Sequence, residues 1–138
     1  EYKDVCYRMD SVQSYFTFNL DMINPAMRHA LFSDDKPIYT KVRDEMPARH
    51  LDHALVSDSI IADGCIIDGT VEHSVLFRGV KIAAGAKVKN CIIMQDGQVE
   101  EGVQLENCIL DKQAVIKHDG RLIGPRAYPI VISKNMTV

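Results

Sequence analysis

Short aliphatic motifs recur along the second half of the chain at a constant spacing. Matching six-residue motifs begin at positions 71, 88 and 105, so that successive copies follow a period of 17 (88 − 71 and 105 − 88). A related copy, Val-Ser-Asp-Ser-Ile-Ile at 56–61, precedes them with a displacement of 15 (71 − 56). A second motif keeps the same period and begins at Ile82, Val99 and Ile116. Two independent motifs that share one period indicate a repeat architecture.

Within each period an aliphatic residue returns about every six positions, as from Ile82 to Val88. This spacing matches neither the 3.6-residue period of an α-helix nor the two-residue alternation of a hairpin. It predicts a coil of three short strands, each with one aliphatic side chain inside and a small residue or glycine at the corner. Because 17 is one less than three sixes, one side of each coil is a residue short. About four coils fit between Leu55 and Leu122, enough to bury a continuous aliphatic column.

The first half of the chain has a helical pattern instead. Apolar residues at three- and four-residue spacing predict an amphipathic helix over 9–23, with Asp10 or Ser11 as its N-cap. The Asn24-Pro25 pair ends this helix, and Pro25 then suits the first turn of a second helix over 26–32. The aromatic stripe is typical of a packing face, but the sequence does not identify its partner.

Composition divides the chain at the same place. All eight glycines lie at or after Gly64, and seven of the nine Tyr and Phe residues precede residue 40. We therefore expect three regions: a helical segment over 1–32, a linker over 33–50, and a solenoid domain with a C-terminal strand over 51–138. The chain starts with Glu-Tyr-Lys-Asp, without an initiator Met or a signal peptide, so we expect a piece of a longer protein.

Charge and cysteine usage narrow the function classes. The net charge of −3 argues against nucleic acid as a partner, and no apolar run reaches the ~18–20 residues of a membrane span. Cys91 and Cys108 share one repeat position, beneath Ser74 and Ser59, where a disulfide between neighbouring strands is geometrically awkward. We expect four reduced thiols in a cytoplasmic protein.

The histidines do not suggest a metal or catalytic site. His50 and His53 have a spacing that could bind a metal, but no Cys or carboxylate cluster completes the site. His73 and His118 lie on the coils at repeat positions otherwise held by Asn or Glu. We interpret all four as surface or turn residues.

Four segments resemble the glucose-1-phosphate adenylyltransferase (ADP-glucose pyrophosphorylase) family. The run at 36–49 is similar to the family's linker, and 59–71 with 73–79 to the opening coils of its C-terminal domain. Residues 10–20 resemble the helix that ends its catalytic domain, which implies that 1–32 is the helical tail of a missing N-terminal nucleotidyltransferase domain. The resemblance implies a mainly β fold, a left-handed parallel β-helix of hexapeptide repeats with about four coils, preceded by a short helical segment.

Two departures point to one branch of that family. The stretch at 7–11 lacks the glycine found in catalytic subunits, and the ending at 128–134 is more similar to the GlgD-type regulatory subunit. The parent reaction converts ATP and glucose 1-phosphate to ADP-glucose and pyrophosphate in glycogen biosynthesis. The resemblance implies that the nucleotide site and the Mg²⁺ ligands belong to an N-terminal domain, so we expect no cofactor and no turnover in this segment alone.

The resemblance also implies a regulatory site and partners. Basic effector-contacting residues of the family match Lys112, in Ile-Leu-Asp-Lys, and Lys134, in Val-Ile-Ser-Lys. An ammonium suits a sugar phosphate or another anionic effector, although both residues could equally be solvated surface lysines. The implied partners are the N-terminal catalytic domain and a homo- or hetero-oligomer with a catalytic subunit.

Two other functions remain open from the residues. A hexapeptide-repeat acyltransferase would use a coil histidine as general base in a trimer that binds acyl-CoA. A purely structural oligomerisation module would bind no ligand. Titration with anionic effectors separates the structural module from a regulatory domain.

Overall fold

A computed structural model describes residues 6–32, 35, 37–40, 42 and 44–138. The first five residues of the predicted helical tail over 1–32 lie outside the described residues, as do positions 33, 34, 36, 41 and 43 of the predicted linker over 33–50.

Three parallel sheets, each of five strands among the described residues, form the walls of a solenoid. Sheet 1 contains β1 (Arg49–His50), β4 (Ile66–Ile67), β7 (Lys81–Ile82), β10 (Gln98–Val99) and β13 (Val115–Ile116). Sheet 2 contains β2 (Leu55–Ser57), β5 (Thr70–Glu72), β8 (Lys87–Lys89), β11 (Gln104–Glu106) and β14 (Arg121–Ile123). Sheet 3 contains β3 (Ile60–Ile61), β6 (Val75–Leu76), β9 (Ile92–Ile93), β12 (Cys108–Leu110) and β15 (Ile130–Ile132). The predicted mainly β, hexapeptide-repeat solenoid of about four coils is confirmed.

The period of 17 is explained by the corners. Inward residues of one coil are Ile82, Val88 and Ile93, and the next coil begins with Val99, giving steps of six, five and six (88 − 82, 93 − 88 and 99 − 93). The short side therefore runs from sheet 2 to sheet 3. Its corner residue adopts a left-handed backbone in successive coils, as at Asn90 with φ 49°. Asn tolerates this conformation better than most residues, so its recurrence there has a steric reason.

The last coil departs from the repeat. Ile109 on β12 pairs with Val131 on β15, a step of 22 instead of 17 (131 − 109). The five extra residues lengthen the corner between sheets 2 and 3 into a six-residue loop over 124–129. Asn107 closes the neck of this loop, because its Nδ2 donates to Gly124 O at 2.8 Å and its own carbonyl accepts from Ile130 N at 3.1 Å.

Two helices precede the solenoid. The first, α1 (Val12–Asp21), is shorter than the predicted 9–23, and its N-cap is Ser11, not Asp10. The second, α2 (Pro25–Leu31), begins at the predicted proline, with the Asn24 side chain accepting from Ala26 N at 2.9 Å. Among the described residues, no helix has the length and apolar character needed to cross a membrane.

The structure identifies what the aromatic helix packs against. On the outside of sheet 3, aligned aliphatic side chains form a ridge of Ile60, Val75, Ile92, Ile109 and Val131. The central part of this ridge packs against Phe16 and Leu20 of α1 and against Ile23, which follows the helix. The helix thus supplies a second small core outside the solenoid, separate from the one inside.

The predicted column of small residues is also present. Ser74 N donates to Ser59 Oγ at 3.1 Å, and Cys91 N donates to Ser74 Oγ at 3.0 Å. Cys91 and Cys108 continue the column and are fully buried, and all four cysteines are free thiols. Burial raises the pKa of the Cys91 thiol, so it stays protonated.

Candidate functional site

The corner between sheets 3 and 1 brings the two predicted lysines together. In each coil the corner residue lies two positions after an inward residue of sheet 3, and we call these residues the corner column: Asp63, Arg78, Gln95, Lys112 and Lys134. Backbone hydrogen bonds join its successive turns, such as Asn135 N to Lys112 O at 3.0 Å. Lys112 and Lys134 therefore lie on adjacent coils, about 4.8 Å apart along the solenoid.

The sequence indicated both lysines without indicating that they are neighbours. Their separation of 22 (134 − 112) does not match the repeat of 17, so the numbering hides the stacking. The loop over 124–129 absorbs the five extra residues and restores the register at β15. The pairing of Ile109 with Val131, together with the bond from Asn135 N to Lys112 O, shows that the two lysines occupy equivalent positions.

Sequence reasoning missed the two other members of the corner column whose side chains donate hydrogen bonds, Arg78 and Gln95. Arg78, Gln95 and Lys112 follow the same period of 17 (95 − 78 and 112 − 95), so the repeat itself contained the signal. Each follows a strand of sheet 3 by the same distance. Arg78 and Gln95 are half-buried, whereas Lys112 and Lys134 are exposed.

The cations of this corner are available to a ligand. Two other surface lysines are paired with carboxylates of the adjacent coil, since Lys89 Nζ lies 3.1 Å from Glu72 Oε1 and Lys117 Nζ lies 2.9 Å from Glu100 Oε1. Within the described part of the chain, Arg78, Lys112 and Lys134 form no ion pair. Unpaired cations on one edge attract an anion more strongly than cations already neutralised by carboxylates.

An apolar groove of about 570 Å³ lies beside the same corner. The N-terminal turn of α1 forms one wall, with Val12 and Tyr15, and sheet 3 forms the other, with Ile109 and Val131. Asp111, which directly precedes Lys112, also lines the groove, and its Oδ1 accepts from Lys112 N at 2.7 Å. Burial raises the pKa of the Tyr15 phenol, so its hydroxyl is protonated at neutral pH.

The coil histidines lie at different corners and pair with carboxylates. His73 Nδ1 is 2.5 Å from Asp58 Oδ2 at the corner between sheets 2 and 3. His118 Nδ1 is 3.5 Å from Glu100 Oε2 at the corner between sheets 1 and 2. His53 likewise contacts Asp68 at 3.1 Å. Each of these histidines thus contacts a carboxylate on the adjacent coil. This placement agrees with their interpretation as surface or turn residues.

The part of the chain that the structure describes contains no group of three or more His, Cys, Asp or Glu residues placed to hold a metal ion.

Comparisons with known proteins agree with this architecture. A family model described as "GlmU-like, C-terminal hexapeptide" matches residues 45–127. The chain is 39% identical over 136 residues to the "Glycogen biosynthesis protein GlgD" of Bacillus subtilis (strain 168), which is 99% of this chain and 40% of that protein. It is 47% identical over 70 residues to the GlgD of Geobacillus stearothermophilus, covering 51% of this chain and 20% of that protein.

A second group of relatives carries an enzyme name. The chain is 33% identical over 115 residues to the "Glucose-1-phosphate adenylyltransferase" of Bacillus thuringiensis (strain Al Hakam), which is 83% of this chain and 30% of that protein. The chain thus spans two fifths or less of the length of these relatives. The resemblance drawn from the linker and the first coils is confirmed, and the match over 45–127 shows that the chain belongs to the GlmU-like, C-terminal hexapeptide family.

Proposed function

We propose that this chain is the C-terminal regulatory and oligomerisation region of a glucose-1-phosphate adenylyltransferase subunit of the GlgD type. The observation that carries the proposal is the match to GlgD along 99% of the chain, combined with two unpaired lysines stacked on one corner of the solenoid. In this assignment residues 1–32 are the tail of an N-terminal nucleotidyltransferase domain, 33–50 are the linker, and 51–138 are the regulatory solenoid.

The proposal assigns regulation and catalysis to different parts of the parent protein. The corner column and the free faces of the solenoid can bind an anion and a partner subunit. The conversion of ATP and glucose 1-phosphate to ADP-glucose and pyrophosphate, and the Mg²⁺ that accompanies it, are assigned to the N-terminal domain. Four free thiols support a reducing compartment, and the proposal places the protein in the cytoplasm.

The effector site is proposed at Lys112 and Lys134. Two ammonium groups on adjacent coils can hydrogen-bond one phosphate together, and charge-assisted hydrogen bonds are stronger than neutral ones. The effector class is a sugar phosphate or another small anion. Binding there would change the contacts of the solenoid with the catalytic parts of the assembly.

The test uses the full-length subunit together with its catalytic partner. Lys112→Ala and Lys134→Ala are each expected to weaken the response of ADP-glucose synthesis to the effector without changing the basal rate. Lys87→Ala, which removes an exposed lysine from sheet 2, is the matched control and leaves the response unchanged. An undiminished response in both corner variants would remove these lysines from the site.

A second measurement tests the assignment of catalysis. The 138-residue chain incubated with ATP, glucose 1-phosphate and Mg²⁺ is expected to form no ADP-glucose. Formation of ADP-glucose above the background without protein would overturn the assignment of turnover to the N-terminal domain.

A further inference from the structure

The loop over 124–129 lies outside the repeat, and its backbone has few donors to spare. Two of its six residues are prolines, which have no N–H group. The Tyr128 N–H is already bonded within the loop, to Pro125 O at 3.0 Å. Beyond Gly124, the loop is therefore tied to the rest of the molecule through its carbonyl oxygens, which need donors from other elements.

Asn107 holds the neck of the loop. Its Nδ2 donates to Gly124 O at 2.8 Å, and its backbone carbonyl accepts from Ile130 N at 3.1 Å. Gly124 N also donates to Glu106 O, at 2.8 Å. These bonds fix the two ends of the loop to the preceding coil, but they do not reach its tip at 125–128.

Gln13, in the first turn of α1, supplies the donor at the tip. In the orientation of its amide that satisfies both ends of the group, Nε2 lies 2.7 Å from Ala127 O and 3.3 Å from Arg126 O. The amide oxygen then lies 3.3 Å from the Thr17 hydroxyl, one turn along the helix, and accepts from it. Because an amide nitrogen carries two N–H groups, one side chain bonds both carbonyls of the loop. Gln13 thus joins the helix to the tip of the loop.

The contact between Gln13 and the loop depends on the first turn of α1. Gln13 is the second residue of the helix, close to the end that Ser11 caps. Phe16 and Leu20, which pack on the ridge, hold the helix further along. Helix ends fray more easily than helix interiors. The tip of the loop is therefore bonded to Gln13 only while the terminal turn of α1 is formed.

We propose that Gln13 is a latch, which fixes the tip of the loop while the first turn of α1 is formed and releases it when that turn unwinds or moves away from the solenoid. The neck at Asn107 stays closed in both states, so opening is confined to 125–128 and leaves β15 in register. The corner column takes no part in the latch, which is therefore independent of the proposed effector site. If α1 is the tail of an N-terminal domain, the state of the loop follows the position of that domain.

Amide hydrogen exchange, followed residue by residue by NMR on the 138-residue chain, tests the latch. Gln13→Ala removes both donors, and α1 is not weakened, because Ala has a higher helix propensity than Gln. The Tyr128 amide is expected to exchange about fivefold faster, since its bond within the loop is then no longer supported by α1. The Ile130 amide at the neck and the amides of α1 are expected to keep their rates.

Gln13→Glu separates a lost latch from a general loss of stability. The carboxylate has the shape of the amide but no N–H group, and it faces two carbonyl oxygens. An acidic residue in the first turn interacts favourably with the helix dipole, so the amides of α1 should exchange no faster. The Tyr128 amide should exchange about tenfold faster. Gln98→Glu makes the same change on an exposed residue of sheet 1, and as the matched control it leaves the Tyr128 rate unchanged.

Ser11→Ala, which weakens the first turn of α1, tests the coupling itself. Relative to the Ile130 amide, it is expected to speed exchange at Tyr128 about twofold to threefold through Gln13. In the Gln13→Ala background it should change the Tyr128 rate no further, because the latch is already lost.

Three outcomes would overturn the latch. The first is a Tyr128 rate that is unchanged in both Gln13 variants. The second is equal acceleration at Tyr128, at Ile130 and throughout α1, which would show a general loss of stability. The third is an equal effect of Ser11→Ala with and without Gln13, which would show that the helix and the loop are not coupled. None of these outcomes bears on the effector site at the two lysines.

Discussion

Ile92 and Ile93 are consecutive residues of β9 and both are fully buried, but they are buried by different parts of the molecule. Ile93 points into the solenoid, where the residues above and below it come from the same repeat. Ile92 points outward and is covered by Phe16 and its neighbours on α1. Ile93 is buried by the coils themselves, whereas the burial of Ile92 depends on a helix that lies outside the repeat.

The outer faces of the sheets show the same distinction. Sheet 2 presents charged and polar side chains outward, including Lys87, Lys89 and Gln104, and the described part of the chain leaves it uncovered. Sheet 3 presents an aliphatic ridge and is covered by α1 over most of its length. The repeat thus places aliphatic side chains inside the solenoid on all three sheets. The outward side chains differ between sheets, and they determine whether another element packs on that face.

Substitution inside the solenoid should have the largest effect. Ile93→Ala is expected to lower the free energy of unfolding by about 3–4 kcal/mol, because a closed coil of short strands relaxes little around a cavity. Urea unfolding followed by circular dichroism measures the change. Lys87→Ala on the bare sheet 2 is the control and should stay within about 0.5 kcal/mol of the unsubstituted chain. A loss below about 1 kcal/mol for Ile93→Ala would show that the interior is not tightly packed.

The same substitution on the outer face should cost less. Ile92→Ala is expected to lose about 2 kcal/mol, because α1 can shift toward the sheet and partly close the cavity. The amide protons of α1 should then exchange faster with solvent, while those of the coil interior keep their protection. A loss for Ile92→Ala as large as that for Ile93→Ala would mean that α1 is as rigid a part of the core as the coils.

Weakening the helix from its end tests the same contact without touching the ridge. The Ser11 hydroxyl accepts from Ser14 N at 3.0 Å, and Ser14 Oγ accepts from Ser11 N at 3.0 Å. Ser11→Ala removes the cap and is expected to cost about 1 kcal/mol in urea unfolding. Ser11→Asp, which retains an acceptor, should restore most of that stability. Equal losses in the two variants would show that the cap contributes through packing instead of hydrogen bonding.

The interior of the solenoid could be predicted from the sequence because the spacing of the aliphatic residues repeats every 17 positions. Aliphatic residues at six-residue spacing have one arrangement in which all of them are buried, and the period of 17 predicted a short side that the structure locates between sheets 2 and 3. The covering of sheet 3 could not be predicted in the same way. Each ridge residue, such as Ile92, directly precedes an inward residue, such as Ile93. The sequence pattern alone does not show that the first of the two side chains points outward and needs a partner of its own.

The candidate site was predicted only incompletely for a similar reason. Lys112 and Lys134 were identified through the family resemblance, but their position on adjacent coils depends on the loop over 124–129, whose length interrupts the period. Arg78 and Gln95 keep the period and could have been found by extending the alignment of repeats to the corners. A corner position has no hydrophobic signal, and its significance appears only when the coils are stacked.

The smallest effect is expected at an exposed corner, where charges on adjacent coils meet in solvent. Hydrogen bonding from Lys117, together with the His118 backbone N–H, lowers the pKa of the Glu100 carboxyl in the folded state. A lowered folded pKa means that this contribution to stability is present above the unfolded pKa and is lost as pH falls through the folded pKa. Glu100→Gln should therefore be slightly less stable than the unsubstituted chain at pH 7, and the difference should shrink as the pH falls below the unfolded pKa and through the lowered folded pKa. Glu101→Gln, which removes the adjacent carboxylate that forms no ion pair among the described residues, is the control. If urea midpoints show the same pH dependence for both variants, the contact between coils at Glu100 contributes nothing to the solenoid.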